Sequence, residues 1–260
     1  MLNRTVRHTE ANIAGALVVG ADMVHVWRIR ATGCESAQYL YETLSDQERR
    51  SAQRLRRDER RRQFIQTRVC LRRVLAGYLA MAPNDVPITY GPLGQPLLDA
   101  TEPGESTCQV RFNISHSHEL ALIACTAGRL IGIDVEHLHQ DRPFDRLARR
   151  YFSTSEYQSM FTGAPGDASA VRARQFLRGW TAKEAVLKAR GLGVAGGLAS
   201  AQVSCPVNAP TRLVQLDNDA VNRWTIRELS SDDDYVTTLA VRGAIQTLQM
   251  FDLDAACVFG

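Results

Sequence analysis

Runs of alternating apolar and polar residues predict β-strands at three places along the chain. MVHVWRIR (23–30) alternates clearly, and residues 111–136 contain two or three such runs with a turn at Thr126–Arg129. Nearer the C-terminus, residues 224–241 hold two more runs on either side of the polar segment SSDDD. That arrangement is typical of a β-hairpin.

A longer apolar repeat with helical spacing predicts a helix from Ser45 to about Ala80. Ser45 suits the N-cap position, and Glu48 stands three residues later, where the acidic partner of a capping box belongs. Residues 81–98 are rich in proline and glycine, so we expect loops with short strands there. Residues 1–20 show little pattern, and we expect them to form a flexible N-terminal tail.

Two segments of the chain resemble each other. LSDQE (44–48) is echoed by FSTSE (152–156), and each is followed by a helical pattern with a Gln-Phe pair and, at the same offset, a Val-Leu pair. These pairs are Gln63–Phe64 with Val74–Leu75, and Gln175–Phe176 with Val186–Leu187. A short match of this kind fits an internal duplication, and it also fits a chance repeat.

Two carboxylates interrupt the apolar strand pattern of IGIDVE (131–136). Alternation places the three aliphatic residues on one face of the strand and Gly132, Asp134 and Glu136 on the other. Side chains two positions apart on a strand are roughly 6–7 Å apart at the backbone, so both carboxylates can share one cation. A solvated outer face is the alternative interpretation. Gly132 argues against it, because a strand glycine often marks the close approach of a ligand or of another backbone.

A third carboxylate, Glu184, lies within the helical sequence WTAKEAVLKARG. It falls on the apolar stripe that contains Leu177 and Leu187, one turn before Lys188. An ordinary exposed Glu–Lys pair would stand on the polar face instead. A half-buried carboxylate needs a partner, which is either Lys188 or a metal ion shared with the strand carboxylates. Three oxygen ligands without a soft donor favour Mg²⁺.

Composition limits the class of protein. The chain has 260 residues, 45% of them hydrophobic, and a formal net charge of +3, which suits one large domain or two small ones and an anionic ligand or acidic partner. Its six cysteines include no CxxC pair. With no secretory signal either, we expect reduced thiols in a cytoplasmic protein. No apolar run is long enough to span a bilayer.

Two further motifs support competing hypotheses. HSH and HLH contain His116, His118, His137 and His139, and such pairs can bind zinc or iron, so a metal-dependent hydrolase is the alternative class of enzyme. The arginine-rich segment 49–62 suggests a nucleic-acid-binding module, but no aromatic stacking residues accompany it. We therefore expect a solvated helix face, with neither a nucleic acid nor a membrane as partner.

Four motifs occur together in one order: FNISHS (112–117), IGIDVE, FSTSE and WTAKEAVLKARGLG (180–193). This set resembles the 4′-phosphopantetheinyl transferases of the larger, Sfp-like type. LSDQE, the arginine-rich helix and YGPLGQP (90–96) are similar to the N-terminal half of that family, and the resemblance covers about residues 23–245. It implies an α+β fold of two similar halves related by pseudo-twofold symmetry, with the active site in the cleft between them.

The resemblance also implies a domain organisation. We expect the flexible tail to comprise residues 1–20, the N-terminal half residues 21–126, and the C-terminal half residues 127–260 with the metal site. We expect a monomer.

The reaction follows from the same resemblance. The 4′-phosphopantetheine arm of coenzyme A is transferred to a serine of an apo acyl or peptidyl carrier protein, which releases 3′,5′-ADP in a Mg²⁺-dependent step. By match to the family motifs, the metal ligands are Asp134, Glu136 and Glu184, and the catalytic residues are Glu184 and Lys188. The predicted contacts to coenzyme A are Arg68, Ser115, His116, Lys183 and Lys188.

The chemistry needs these residue types. A serine hydroxyl is a poor nucleophile near neutral pH, so it needs a base, and Glu184 is the candidate, directly or through a bound water. Mg²⁺ and Lys188 would neutralise the charge that develops on the diphosphate. Gln95 departs from the family pattern, since GQP stands where the family commonly has GKP. A contact between Gln95 and a phosphate of coenzyme A is therefore left open.

Overall fold

The computed structural model describes residues 8–10, 17–30, 37–99, 110–139, 143–162, 169–193, 197–230 and 232–254. The chain divides into two compact units. The first contains Met1–Arg111, Glu119–Gly128 and Thr247–Gly260, and the second contains Phe112–His118 and Arg129–Gln246. In chain order the strands and helices are β1 (His8–Glu10), β2 (Met23–Arg30), α1 (Ala37–Glu42), α2 (Asp46–Arg54), α3 (Asp58–Leu79), β3 (Ile88–Tyr90), β4 (Pro96–Leu98), β5 (Val110–Ser117), β6 (Leu120–Ala127), β7 (Ile131–His137), α4 (Phe144–Tyr151), α5 (Thr154–Phe161), α6 (Ser169–Ala189), β8 (Ala201–Ser204), β9 (Arg212–Leu216), β10 (Trp224–Leu229), β11 (Tyr235–Arg242) and β12 (Thr247–Asp254). Both units mix helices and strands, which confirms the α+β class.

The sheet of the first unit is built around β2, the strand predicted at residues 23–30. β12 runs parallel to β2 on one side, and β6 runs antiparallel to it on the other. β1 continues the sheet, parallel to β12. The alternating pattern did not predict how deeply β2 is buried. Both faces of this strand are covered, and Trp27 is fully buried.

Two helices, α2 and α3, replace the single helix predicted from Ser45 to about Ala80. The backbone is extended at Leu55 and at Arg57, which ends α2 and starts α3. The guanidinium of Arg61 donates to the carbonyl oxygen of Leu55, so the break leaves that acceptor satisfied. The predicted end is confirmed, because Ala80 takes the left-handed conformation that terminates α3.

The second unit holds the sheet β10-β11-β7, in which all neighbours are antiparallel. The predicted hairpin at residues 224–241 is therefore confirmed as β10 and β11. The long helix α6 packs on β7 and β11. Its approach to β7 depends on Gly132, because a Cβ at that position would overlap the carbonyl oxygen of Ala185 and come within 2.6 Å of the amide nitrogen of Ala189. A strand glycine often marks the close approach of a ligand or of another backbone; at Gly132 the structure shows the backbone of α6.

The two similar sequence segments take the same local structure. Ser45 with Glu48, and Ser153 with Glu156, form complete capping boxes at the starts of α2 and α5. Each glutamate is buried and also binds a cation from the next long helix. Arg72 Nε lies 2.7 Å from Glu48, and Lys183 Nζ lies 3.0 Å from Glu156.

The expected division at residues 126 and 127 lies close to one change of unit, at Gly128, but Phe112–His118 already belong to the second unit and β12 returns to the first by pairing with β2. Of the expected N-terminal tail, residues 8–10 form β1 and residues 17–20 have no regular structure, while 1–7 and 11–16 lie outside the described residues. Among the described cysteines, Cys70, Cys125 and Cys205 are buried and free. No described helix is both long and apolar enough to cross a membrane.

Candidate active site

Asp134 is a buried carboxylate in the middle of β7. It projects from β7, is 4% exposed, and its Oδ1 accepts hydrogen bonds from Lys188 Nζ at 2.6 Å and from Ser115 Oγ at 2.9 Å. Lys188 also donates to Ser115 Oγ at 2.9 Å, so the three side chains form a closed set. Within the described parts of the chain, the buried Oδ2 of Asp134 has no hydrogen-bond partner. One oxygen of this carboxylate is thus fixed and the other is open to a ligand.

Glu136 lies two residues further along β7, on the same face as Asp134. It is half-buried, and its Oε2 accepts a hydrogen bond from Ser117 Oγ at 3.1 Å. The sequence pattern predicted this shared face; in the structure Asp134 is buried and Glu136 is nearer to solvent.

Glu184 stands on the face of α6 that packs toward the strands, and it is 7% exposed. The pKa of its carboxyl is raised to about 7, chiefly by burial and next by the charge of Asp134, while Lys188 opposes the shift and Glu136 adds to it weakly. These interactions place the three predicted carboxylates in one electrostatic environment. The raised pKa of Glu184 therefore follows mainly from its burial, with repulsion by the two strand carboxylates as a smaller cause.

The residues fit a magnesium ion better than a zinc ion. In the positions that the described side chains take, no group of three or more His, Cys, Asp or Glu is arranged to hold a metal. Zinc sites use three or four protein ligands. Magnesium keeps several waters and is bound by one or two carboxylates together with substrate phosphates. The open Oδ2 of Asp134 and the neighbouring carboxylates supply oxygen donors of that kind.

Three histidines of HSH and HLH form a cluster of neighbouring rings: His118, His137 and His139. The ring centroids of His118 and His137 are 4.7 Å apart and nearly parallel, and those of His137 and His139 are 4.6 Å apart. Tyr235 packs edge-on against His137 at 5.0 Å. His116 is exposed. The hydrolase hypothesis, which required these pairs to bind zinc or iron, finds no support.

Lys183 is placed differently from the other predicted contacts to coenzyme A. It is 1% exposed and donates to both carboxylate oxygens of Glu156, at 3.0 and 3.3 Å, with the ring of Phe152 on another side. An ammonium that is buried in this way cannot meet a dissolved ligand. This geometry does not support the predicted contact with coenzyme A. The sequence pattern could not show that Lys183 neutralises Glu156.

Arg68 belongs to the first unit, on α3. Its guanidinium lies over the rings of Phe64 and Tyr90, at 5.2 and 5.5 Å from their centroids. Burial lowers the pKa of this guanidinium. Among the described residues, its buried Nη1 has no hydrogen-bond partner. A desolvated cation with an unsatisfied donor is suited to bind an anion.

Gln95 does not extend from its turn. Its Oε1 accepts a hydrogen bond from the backbone N–H of Leu93 at 3.0 Å, so the side chain folds over the residues that precede it. The oxygen of this amide is therefore already bound within the turn.

Asn113 and Ser117 are residues that sequence reasoning missed. They alternate with Ser115 on β5, and their side chains accept hydrogen bonds from backbone N–H groups of β7. The spacing of NISHS, which matches the spacing of the carboxylates in IDVE, was the available signal.

Two family models together match most of the chain. The model described as 4′-phosphopantetheinyl transferase, N-terminal, matches residues 32–128, and that of the 4′-phosphopantetheinyl transferase superfamily matches residues 130–240. The second match contains the site built by Asp134, Glu184 and Lys188. The chain belongs to the 4′-phosphopantetheinyl transferase superfamily and is an enzyme of that class.

Curated relatives support this membership. The chain is 36% identical over 230 residues to the 4′-phosphopantetheinyl transferase HetI of Nostoc sp., covering 87% of this chain and 91% of the relative. It is 26% identical over 229 residues to the phosphopantetheinyl transferase of Thraustochytrium sp., covering 84% and 78%. It is also 26% identical over 195 residues to the L-aminoadipate-semialdehyde dehydrogenase-phosphopantetheinyl transferase of Xenopus laevis, covering 70% and 62%.

Proposed function

We propose that this enzyme transfers the 4′-phosphopantetheine arm of coenzyme A to a serine of an apo acyl or peptidyl carrier protein, with Mg²⁺ as cofactor. The serine oxygen forms a bond to the phosphorus that carries pantetheine, the bond from that phosphorus to the bridging oxygen breaks, and 3′,5′-ADP leaves. The observation that carries the proposal is the arrangement of Asp134, whose Oδ1 is held by Lys188 and Ser115 while its buried Oδ2 is open.

Asp134, Glu136 and Glu184 are the residues that we propose as ligands of the ion; bringing all three to one ion needs side-chain positions other than those that the structure shows. When bound, Mg²⁺ would neutralise charge on the diphosphate as the leaving group departs. Lys188 contributes a second positive charge from the protein itself. Its side chain contacts Asp134 and is 29% exposed, so this residue borders the solvent from which a phosphate group would approach.

Glu184 is the residue that we propose as the base for the serine hydroxyl. It lies in a buried position beside Asp134, on a helix that is fixed against β7 and β11. A base that is held rigidly by its helix loses little freedom when it takes up the proton.

Arg68, Ser115, His116 and Lys188 are the proposed contacts to coenzyme A. Arg68 has a buried donor that an anion would satisfy, and His116 is exposed on β5. We leave Lys183 out of this set because it is committed to Glu156. We place the enzyme in the cytoplasm, where coenzyme A and carrier proteins are found, and we expect it to act as a monomer.

The test is intact-mass measurement of several apo carrier proteins after incubation with coenzyme A and the enzyme. We expect one phosphopantetheine group per carrier when Mg²⁺ is present and none when a chelator has removed it. Asp134→Ala and Glu184→Gln should both abolish most of the transfer, the first through loss of the ion and the second through loss of the base. If no carrier from fatty-acid, polyketide or nonribosomal-peptide synthesis gains the group, the carrier assignment is wrong.

A further inference from the structure

Three polar side chains of β5 act as a ladder between this strand and β7. We call Asn113, Ser115 and Ser117 the polar stripe. Their side-chain oxygens accept hydrogen bonds from every second backbone N–H of β7, at 2.9, 3.3 and 3.1 Å respectively. The donors are the amides of Ile133, Val135 and His137.

The direction of these bonds fixes where the serine protons point. A backbone N–H can only donate, so each serine oxygen is the acceptor in its bond to β7. The hydroxyl proton is then available for a different partner. Ser115 Oγ lies 2.9 Å from Asp134 Oδ1, and Ser117 Oγ lies 3.1 Å from Glu136 Oε2. Each serine therefore joins the backbone of β7 to the carboxylate that precedes the bound amide.

The same bonds from β5 to β7 also determine where the two carboxylates of β7 lie. A hydroxyl that is anchored on an amide of β7 lies within hydrogen-bond distance of the carboxylate of the preceding residue. We propose that Ser117 is a positioning residue, which holds the carboxylate of Glu136 in the orientation needed for the reaction. This proposal rests on the proposed function only in assigning Glu136 to the ion.

Ser117 allows a cleaner test than Ser115. Ser115 also accepts a hydrogen bond from Lys188, so its replacement would disturb the contact between Lys188 and Asp134. The hydroxyl of Ser117 connects the amide of His137 to Glu136, and its removal leaves the Lys188–Asp134 contact in place.

Ser159 provides a matched control in the same unit. It is half-buried like Ser117, and its hydroxyl likewise accepts one backbone N–H and donates one bond. Its partners are the N–H of Cys205 and the carbonyl oxygen of Glu156, neither of which belongs to the site. Ser159→Ala should therefore cost about as much stability as Ser117→Ala without touching the carboxylates.

The experiment compares Ser117→Ala, Ser117→Thr and Ser159→Ala with the wild type. Mn²⁺ alone serves as the probe and is titrated by electron paramagnetic resonance, since loss of a partner behind a ligand typically weakens binding by tenfold or more. We expect about tenfold weaker Mn²⁺ binding for Ser117→Ala, wild-type binding for Ser159→Ala, and recovery in Ser117→Thr, which keeps the hydroxyl. Steady-state rates should show a lower kcat with KM for coenzyme A nearly unchanged in Ser117→Ala alone.

Two outcomes overturn the proposal. One is Mn²⁺ affinity and kcat of Ser117→Ala that equal those of the wild type. The other is an equal loss of Mn²⁺ affinity and kcat in Ser159→Ala, which would show that reduced stability of the unit, and not the position of Glu136, causes the loss. If the wild type binds no Mn²⁺, the ion assignment fails separately, and the kcat of Ser117→Ala against that of Ser159→Ala still decides the role of Ser117.

Discussion

The ammonium of Lys188 lies 2.6 Å from Oδ1 of Asp134, which joins the last turn of α6 to the middle of β7. The two partners differ in exposure, because the side chain of Asp134 is 5% exposed and that of Lys188 is 29% exposed. Without Lys188, Asp134 is left as a buried carboxylate with no counter-charge. Without Asp134, the side chain of Lys188 can move toward water. The pair therefore contributes unequally to stability through its two members.

A double-mutant cycle on this pair should show that asymmetry. We expect Lys188→Met to lower the free energy of unfolding more than Asp134→Asn does. The double variant should be more stable than the sum of the single changes predicts, by about 1 to 2 kcal/mol. Urea denaturation of the four proteins measures this coupling. Additive effects would show that the contact does not contribute in solution.

Gly132→Ala should destabilise the second unit. The added Cβ would meet the backbone of α6 at Ala185 and Ala189, which cannot move as a side chain can. Overpacking against backbone should cost about 3 kcal/mol, near the upper end for such changes. Gly20→Ala is the control, because its Cβ would approach only the flexible side chain of Met23, at 3.2 Å. Thermal unfolding curves of both variants provide the comparison, and equal melting temperatures would contradict the prediction.

Glu156→Gln should be far more damaging than Glu156→Gln combined with Lys183→Met. The single change leaves the ammonium of Lys183 buried without a counter-charge, which costs roughly 3 to 5 kcal/mol. The double change removes that charge, so most of the lost stability should return. Asp58→Asn breaks an exposed ion pair with Arg61 and should change the free energy of unfolding by less than about 0.5 kcal/mol.

Lys183→Met also tests whether Lys183 contacts coenzyme A. We expect KM for coenzyme A to stay within about twofold of the wild-type value for whatever fraction of the variant folds. A large rise in KM with unchanged kcat would instead return Lys183 to the binding site.

His25 should make the first unit sensitive to acid. It is 4% exposed, its Nδ1 lies 2.7 Å from the hydroxyl of Tyr78, and burial lowers its pKa from 6.5 to about 4. As the pH falls through 6.5, the unfolded chain gains a proton there before the folded one does. The folded protein therefore loses stability as the pH falls from about 6.5 to about 4, by an amount on the order of 3 kcal/mol.

The measurement for His25 is the difference in free energy of unfolding between the wild type and His25→Gln at several pH values. Other titrating groups are common to both proteins and cancel in this difference. We expect the advantage of the wild type to shrink as the pH falls over that range. A difference that does not change with pH would rule out His25 as the source.

Local patterns predicted those features that depend on neighbours in sequence. The capping box of Ser45 and Glu48, the strand at residues 23–30 and the hairpin near the C-terminus all appear in the structure. Asp134 and Glu184 were found because each interrupts an apolar pattern. A buried carboxylate must be compensated, so such an interruption is a strong signal even without tertiary contacts.

The features that were missed depend on partners far apart in sequence. Lys183 and Glu184 are adjacent and both charged, and only the fold shows that one faces Glu156 while the other faces β7. Similarly, the return of β12 to pair with β2 joins strands more than 200 residues apart, which no periodicity can show. The same holds for the polar stripe, whose acceptors are matched to donors of a different strand.

In each unit, a cation from a long helix neutralises the buried glutamate of a capping box. The two cations stand at helix positions that differ by a single residue. When α3 and α6 are aligned on their Gln-Phe and Val-Leu pairs, Arg72 corresponds to Glu184, and Lys183 corresponds to Leu71. One residue turns a side chain by about 100° around a helix. In the second unit the counter-ion of the capping-box glutamate thus comes from the preceding position. The helix position that carries the counter-ion Arg72 in the first unit is therefore free of that task in the second, and Glu184, the residue that we propose as the base, occupies it.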